Sequence, residues 1–203
     1  MGKLEEFEKC YFNSTNEKVK EIFESMTVNI VTMHDIGKVN TFTVDPWGQG
    51  HFYGHPRVSG DMAEEICARL RMRKKDREDI VTLIRWHDKN IPLTEKGIGT
   101  AMLALGEENF RRLLEVKRAD NLAQAPEYRW VAEKIDAAEK LLDEMLRREP
   151  CLQLKDLAVN GNDLLALGYS GREIGLALQR LLQKVVAGEI ENRREALLTA
   201  LRH

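Results

Sequence analysis

The chain has 203 residues, of which 32% are charged and 43% are hydrophobic, and its formal net charge is −2. This balance is typical of a globular protein with a buried core, and it weighs against the broad basic surface of proteins that bind nucleic acid through many phosphates. No apolar run approaches the roughly 20 residues of a membrane-spanning helix, and the first residues do not resemble a signal peptide. We therefore expect a cytoplasmic protein without membrane association.

The cysteines of the chain are odd in number and far apart, at Cys10, Cys67 and Cys151. None of them belongs to a C-x-x-C pair, so the sequence predicts neither a disulfide framework nor a zinc ribbon. We expect reduced cysteines with a structural role.

The first predicted helix ends at the segment His34-Asp35-Ile36-Gly37-Lys38. Before this segment, apolar residues recur at steps of three and four, the spacing of one helix face: Val19, Ile22, Phe23, Met26, Ile30 and Met33. Adjacent helical side chains point about 100° apart, so His34 and Asp35 can flank one ion if Gly37 ends the helix just beyond them. The pair is the first candidate for metal ligation.

A long loop follows, from residue 39 to residue 56, and it carries four aromatic residues and three glycines before Pro56. Long loops in compact domains are often functional. Pro56 then opens a helix with His55 at its entrance, and a further helix, about 74–88, places His87 on its apolar face. We predict no convincing strand in this region or elsewhere.

The next part of the chain places a carboxylate among apolar residues. Thr94 is predicted to cap a shorter helix that runs to Gly106, and Glu107 begins another helix. In that helix, Asp120 shares a side with apolar residues at offsets of three and four. Asp120 therefore joins the candidates for metal ligation.

The remaining third of the chain is predicted to be a helical tail. Pro126 separates it from the preceding helix, and a long amphipathic helix then runs to Pro150. The sequence Asn160-Gly161-Asn162 indicates a turn, and two further helices are predicted over 174–185 and 195–201. No internal repeat is present.

Five residues could carry chemistry in a chain with few histidines: His34, Asp35, His55, His87 and Asp120. Imidazole and carboxylate ligands without thiolate suit manganese, iron, cobalt, nickel, magnesium or zinc at a hydrolytic site. One or two such divalent metal ions would lower the pKa of bound water and offset the charge that develops on a phosphoryl group. Lys38, one turn beyond the His-Asp pair, could then contact a substrate phosphate.

Each of these residues also has a purely structural interpretation. An inward histidine such as His87 is more often a hydrogen-bonded core residue than a ligand, and His55 could simply begin its helix. Asp120 could be satisfied by an arginine or an amide without metal, Lys38 could be a solvated side chain, and His51 could serve the loop. The convergence of five metal-ligating side chains favours the metal site.

Four short motifs contain these residues: His34-Asp35-Ile36-Gly37-Lys38, Gly54-His55-Pro56, Trp86-His87-Asp88 and Arg118-Ala119-Asp120-Asn121. Together they resemble the HD superfamily of metal-dependent phosphohydrolases. The resemblance implies metal ligation by His34, Asp35 and Asp120. His55 and His87 match the extra histidines of branches that can hold a second ion.

Longer stretches extend the pattern from about Met33 to the end of the chain: 50–56, 106–114, 117–124 and 154–198. They are similar to the C-terminal half of bacterial CCA-adding tRNA nucleotidyltransferases that carry an HD domain. That family usually has another ligating histidine upstream of the His-Asp pair, whereas residues 1–33 contain no histidine. The polymerase head, with its Gly-Ser turn and paired catalytic carboxylates, has no counterpart here.

We therefore predict an all-α protein, with an HD-type helical bundle over residues 1–125 and a helical tail over residues 126–203. The resemblance implies a metal-dependent phosphohydrolase, acting on a nucleotide or RNA-terminal phosphoester, in which Asp35 and Lys38 serve catalysis. The alternative is a non-catalytic helical module of tRNA processing that holds tRNA or a partner domain. The oligomeric state stays open.

The tail could give the protein weak affinity for tRNA. Five basic residues would neutralise a few phosphates if they gathered on one side of the tail: Arg172, Arg180, Lys184, Arg193 and Arg194. The same residues could equally form an ordinary solvated surface.

Overall fold

A computed structural model describes residues 26–123, 130–148 and 151–201. As predicted, the fold is all-α, and within these residues the exception is one pair of two-residue strands. The helices in the described ranges are, in chain order, α1 (Met26–Met33), α2 (Lys38–Thr41), α3 (His55–Arg69), α4 (Lys74–Trp86), α5 (Glu95–Ala123), α6 (Trp130–Arg147), α7 (Gly161–Ala166), α8 (Arg172–Val186) and α9 (Arg194–Ala200). A 3₁₀ turn, Leu154–Asp156, precedes α7.

Some of the predicted features lie outside the described residues. These are Cys10, the first part of the opening helix, Pro126 and Pro150. In the ranges that are described, no helix is both long enough and apolar enough to cross a membrane.

A β-hairpin lies in the predicted long loop, so the prediction of no strand is wrong at this point. Strand β1 (Thr43–Val44) pairs antiparallel with β2 (Gly50–His51). Two-residue strands are too short for a period of two to be recognised in the sequence. The turn between them is held by Asp45, whose carboxylate accepts two backbone hydrogen bonds and lies 3.1 Å from His51 Nε2. His51 thus serves the loop.

Helix α5 is interrupted at Gly106, where the sequence predicted one helix to end and another to begin. The backbone there has φ 75° and ψ 165°, a positive φ that glycine adopts without steric cost. Thr94 caps the first part of α5, because its hydroxyl oxygen accepts a hydrogen bond from the Gly97 N–H at 3.0 Å. Both predictions for this region are confirmed.

The prediction of a turn at Asn160-Gly161-Asn162 is wrong, because this segment starts helix α7. The Asn160 side chain accepts a hydrogen bond from the Asn162 N–H at 2.9 Å. In return, the Asp163 carboxylate accepts one from the Asn160 N–H at 2.8 Å. Such a reciprocal capping box marks a helix start, and the turn-like composition of the segment masks it.

The described residues pack into two compact units. The first unit comprises residues 26–89 and 111–123, and the second comprises residues 90–110, 130–148 and 151–201. These units are defined by packing alone. The predicted division into domains between residues 125 and 126 stays a prediction.

Each unit has its own apolar core. In the first unit, side chains of α1, α3, α4 and the second part of α5 are buried, among them Ile30, Ile66, Ile80, Ile84 and Leu113. In the second unit, the tail helices bury a cluster of Leu157, Val159, Leu164, Ala177, Leu181, Leu182 and Leu197. Full burial of one such large aliphatic side chain contributes roughly 1.5–3 kcal/mol, so each unit has a substantial core.

Candidate metal centre

The His34-Asp35 pair lies in a turn between α1 and α2 that is packed closely against α3. Gly37 does not adopt the left-handed conformation expected of a helix-ending glycine, since its φ is −74° and its ψ is −10°. A Cβ atom at this position would lie only 2.6 Å from the Ser59 backbone nitrogen. The Gly37 N–H also donates a hydrogen bond to Ser59 Oγ at 2.9 Å. Glycine is therefore required here for close approach, and this contact fixes the turn on α3.

Three histidines of the first unit use the same arrangement of hydrogen bonds. The Nδ1 atom of His34 lies 2.8 Å from the Val31 carbonyl oxygen. His55 Nδ1 lies 2.9 Å from the Phe52 oxygen, and His87 Nδ1 lies 2.6 Å from the Ile84 oxygen. A carbonyl oxygen can only accept, so each Nδ1 carries the proton. In the neutral rings, each Nε2 is then left with a lone pair.

The three Nε2 atoms converge on the carboxylate of Asp35. His34 Nε2 lies 3.4 Å from Asp35 Oδ2, while His55 and His87 Nε2 lie 3.2 and 3.7 Å from Oδ1. The Nε2 atoms of His55 and His87 are themselves 3.2 Å apart. Asp120 extends the cluster, with its Oδ1 3.4 Å from His34 Nε2.

These separations fit atoms that share a cation. Ligand atoms about 2.0–2.2 Å from one ion, at tetrahedral or octahedral angles, lie roughly 3.0–3.5 Å from one another. One ligand atom each from His34, Asp35 and His87 lies within 4.8 Å of the others, and this group could hold a metal ion. Within the described residues, His34 Nε2 and Asp35 Oδ1 are buried without a hydrogen-bond partner. Unpaired buried polar atoms are costly, and coordination of a cation would satisfy both.

The electrostatics of the cluster favour a positive charge between its carboxylates. Burial opposes the charged form of His34, but the neighbouring Asp120 and Asp35 outweigh it and raise the pKa of His34 to about 10. Burial also opposes ionisation of Asp35, yet His34 and Lys38 hold the pKa of Asp35 well below its usual range. His34 likewise lowers the pKa of Asp120, and burial lowers that of His87. Either a proton on His34 or a metal cation can supply the charge.

Lys38 lies at the edge of this cluster. Its ammonium group is 2.6 Å from Asp35 Oδ2 and 5.6 Å from the centroid of the Phe52 ring. About a third of each of the Lys38 and Asp35 side chains remains exposed, at 38% and 34%. The amine is therefore held by Asp35 while it stays accessible to a molecule outside.

Lys117 supports the site, and the sequence analysis did not single it out. Its ammonium group donates hydrogen bonds to the carbonyl oxygens of His87 and Lys89, at 2.6 and 3.0 Å. Lysine side chains near a helix C-terminus can bind carbonyl groups that have no helical partner, and Lys117 does so from within α5 for the segment that follows α4. Burial lowers the pKa of Lys117. The sequence did offer a sign of this role, because Lys117 precedes Asp120 by three residues and so lies on the same helix face.

The structure thus brings all five candidate ligands into one cluster. They come from the α1–α2 turn, the start of α3, the end of α4 and the second part of α5. His34, His55 and His87 are each 8% exposed, so none of them is a surface histidine. The roles of these residues stay a prediction.

Comparison with known proteins assigns the chain to a family. The family model described as putative tRNA nucleotidyltransferase domain 2 matches residues 57–201. The CC-adding tRNA nucleotidyltransferase of Thermus thermophilus is 29% identical over 166 residues, which cover 80% of this chain and 36% of the relative. The A-adding tRNA nucleotidyltransferase of Deinococcus radiodurans is 27% identical over 176 residues, covering 81% of this chain and 38% of the relative.

The chain spans little more than a third of the length of these curated relatives. No solved structure matches it significantly. The family match includes His87 and Asp120 and begins after His55. Because the match covers most of the chain, we conclude that this protein belongs to the tRNA nucleotidyltransferase domain 2 family.

Proposed function

We propose that this chain is an HD-type, metal-dependent phosphohydrolase that acts on a nucleotide or RNA-terminal phosphoester. The observation that carries the proposal is the 3.2 Å approach of the His55 and His87 Nε2 atoms. Both rings place Nδ1 against a carbonyl oxygen, so two neutral imidazoles would point lone pairs at each other. A cation coordinated by both nitrogens removes this repulsion.

In this proposal His34, Asp35 and Asp120 hold the ion, and His55 and His87 complete its coordination or hold a second one. Asp35 can contribute to the coordination of both ions, because Oδ2 faces His34 and Oδ1 faces His55. A bound divalent cation supplies a Lewis acid that makes water a better nucleophile and offsets charge on a phosphoryl group. The donor set suits manganese, iron, cobalt, nickel, magnesium or zinc.

Lys38 has the role of binding a phosphate oxygen of the substrate. Its ammonium group is a compact charge with several donors, and Asp35 holds it at the accessible edge of the cluster. An ammonium held in place before the substrate arrives loses little freedom on binding. The relatives are tRNA nucleotidyltransferases by name, so a tRNA 3′ end is the RNA to test first.

The experiment compares the wild-type chain with Asp35→Asn, which keeps the shape of the side chain but removes its charge. Hydrolysis of a nucleoside cyclic phosphate and of a terminally phosphorylated oligonucleotide should require added divalent metal and collapse in the variant. Asp136→Asn, an exposed change on α6, is the control and should retain full activity. Unchanged hydrolysis in a folded Asp35→Asn protein would assign the activity to another site.

A second candidate function is a non-catalytic helical module that holds tRNA or a partner domain. The raised pKa of His34, to about 10, favours it, because a protonated His34 between two carboxylates would need no metal. The absence of histidine from residues 1–33 favours it too. Elemental analysis of protein purified without chelator separates the two functions, since this module would contain no stoichiometric metal.

A further inference from the structure

A pocket outside the histidine-carboxylate cluster has features of a second binding site. Its volume is about 360 Å³, within the range of roughly 300–1,000 Å³ that small-molecule sites occupy. It is lined by Gly54, Pro56, Arg57, Arg85, Asp88 and Lys89. Gly54 and Pro56 flank His55, and Asp88 and Lys89 follow His87. The pocket is therefore lined by the chain neighbours of two of the five clustered residues, His55 and His87.

The charges around this pocket favour an anion. Three cations line it against a single carboxylate, and it lies at the start of α3, where the helix dipole is positive. Asp61 pairs with Arg85 at 2.6 Å but approaches Arg57 only to 4.0 Å. The Arg57 side chain is 87% exposed, and the Lys89 ammonium lies 3.9 Å from the centroid of the Trp86 ring.

An exposed aromatic residue, Tyr53, directly precedes the pocket residue Gly54 in the sequence. Tyr53 is 76% exposed, yet its ring is stacked on His51 with centroids 4.9 Å apart and planes 13° apart. His51 is in turn held by the Asp45 carboxylate. The Tyr53 ring is thus supported on one side and open on the other. Such a ring suits the stacking of a nucleobase.

We propose that Tyr53 and this pocket bind the nucleotide next to the hydrolysed phosphoester in a single-stranded RNA end. The base stacks on Tyr53, and the phosphate of that nucleotide is bound by Arg57 and Lys89. This inference rests on the proposed function, which supplies the neighbouring phosphoester site. Aromatic rings interleaved with cations are the usual means of binding single strands. The preferred substrate is therefore an oligonucleotide end, and a free mononucleotide would leave this subsite unused.

Binding of a fluorescent single-stranded oligoribonucleotide with a 3′-phosphate, followed by anisotropy over a series of salt concentrations, tests the subsite. Arg57→Ala/Lys89→Ala should weaken binding about tenfold at low salt. It should also reduce the slope of log K against log salt by roughly 0.7 for each cation removed. The control Arg73→Ala/Lys74→Ala removes the same charge from side chains that are 87% and 80% exposed, and it should leave affinity and slope nearly unchanged.

The aromatic part of the subsite has its own variants. Tyr53→Ala should weaken binding at least about fivefold, the lower end of the usual effect of losing one stacked base. Tyr53→Phe keeps the ring and should bind within about twofold of the wild type, since stacking needs no hydroxyl group. A loss of affinity that Phe does not rescue would contradict stacking.

The binding readout is independent of hydrolysis, so the two proposals can fail separately. If the wild-type chain hydrolyses no substrate while the Tyr53 and Arg57/Lys89 variants lose RNA affinity, the proposed phosphohydrolase activity is refuted and the subsite is retained. Wild-type affinity in these variants would refute the subsite whatever the activity. An equal loss of affinity in the Arg73/Lys74 control, or equal binding of an acidic peptide, would also refute it.

Discussion

His55 and His87 are 32 residues apart in the sequence, yet their Nε2 atoms lie 3.2 Å apart in the buried part of the first unit. Each ring is oriented by a hydrogen bond from Nδ1 to a carbonyl oxygen three residues before it. For His87, the carbonyl oxygen of the residue itself is also held, by Lys117. Two neutral rings held in this way have little freedom to turn their lone pairs apart. A cation between the two Nε2 atoms would explain their close approach.

The first prediction is that His87→Ala will lower the metal content of the protein. The change removes one of the converging nitrogens, and loss of a ligand weakens coordination even where the other side chains remain. His51→Ala is the matched control, because His51 is also paired with a carboxylate, that of Asp45, but lies in the hairpin. Elemental analysis of proteins prepared in parallel should show metal lost from the first variant only. Equal metal in both would place the ion elsewhere.

Sequence reasoning named the clustered residues because their chemistry is unusual. His34, Asp35 and Asp120 fall on or near apolar helix faces, where an unpaired polar group is expensive, so their convergence in one cluster could be expected. The sequence could not predict which oxygen of Asp35 faces which histidine, or the support from Lys117. Those details depend on contacts between segments that are distant in the chain.

The fold was predicted where the apolar period is long and missed where it is short. Helices such as α6 and α8 repeat their apolar stripe over several turns, and their existence follows from that pattern. The hairpin at Thr43–Val44 offers only two residues per strand, and the start of α7 at Asn160 has the composition of a turn. In both places, side chains that accept backbone hydrogen bonds decide the conformation: Asp45 in the hairpin, and Asn160 with Asp163 at the start of α7.

The second prediction concerns the close contact between Gly37 and Ser59. Gly37→Ala should lower the free energy of unfolding by roughly 1–3 kcal/mol, the usual cost of overpacking, because the new Cβ would lie 2.6 Å from a backbone nitrogen. Gly175→Ala is the control, since a Cβ there meets nothing within 4 Å. Gly175 is the fourth residue of α8, and within a helix that change should stabilise the protein by about 0.5–1 kcal/mol. Denaturant unfolding measures both, and a neutral Gly37→Ala would argue against the packing described.

The third prediction uses the buried thiol of Cys67. Burial raises the pKa of Cys67 to about 11, so little of the reactive thiolate is present in the folded protein at pH 8. In a Cys10→Ser/Cys151→Ser variant, the remaining thiol should react slowly with a disulfide reagent at pH 8. The rate should increase as the pH rises towards 11, and unfolding should abolish the protection. Fast reaction in the native state at pH 8 would show that the thiol is accessible.

The fourth prediction concerns tRNA binding by the tail. Arg193 is paired with Glu191, and Arg194 Nη2 lies 2.5 Å from Asp163 Oδ1, so these two arginines are partly neutralised. Arg172, Arg180 and Lys184 are exposed along α8, where Arg180 and Lys184 are neighbours on one face.

We expect tRNA binding through this face to be weak, because few phosphates can be neutralised and the net charge of the chain is −2. Arg180→Ala/Lys184→Ala should reduce the slope of log K for tRNA against log salt by about one to two, because fewer counterions are released on binding. The control Lys74→Ala/Lys75→Ala removes two exposed lysines from α4 and should change tRNA affinity little. Tight binding that ignores salt would rule out this electrostatic account, and incorporation of CTP by these 203 residues would contradict the expectation of weak tRNA binding without nucleotide addition.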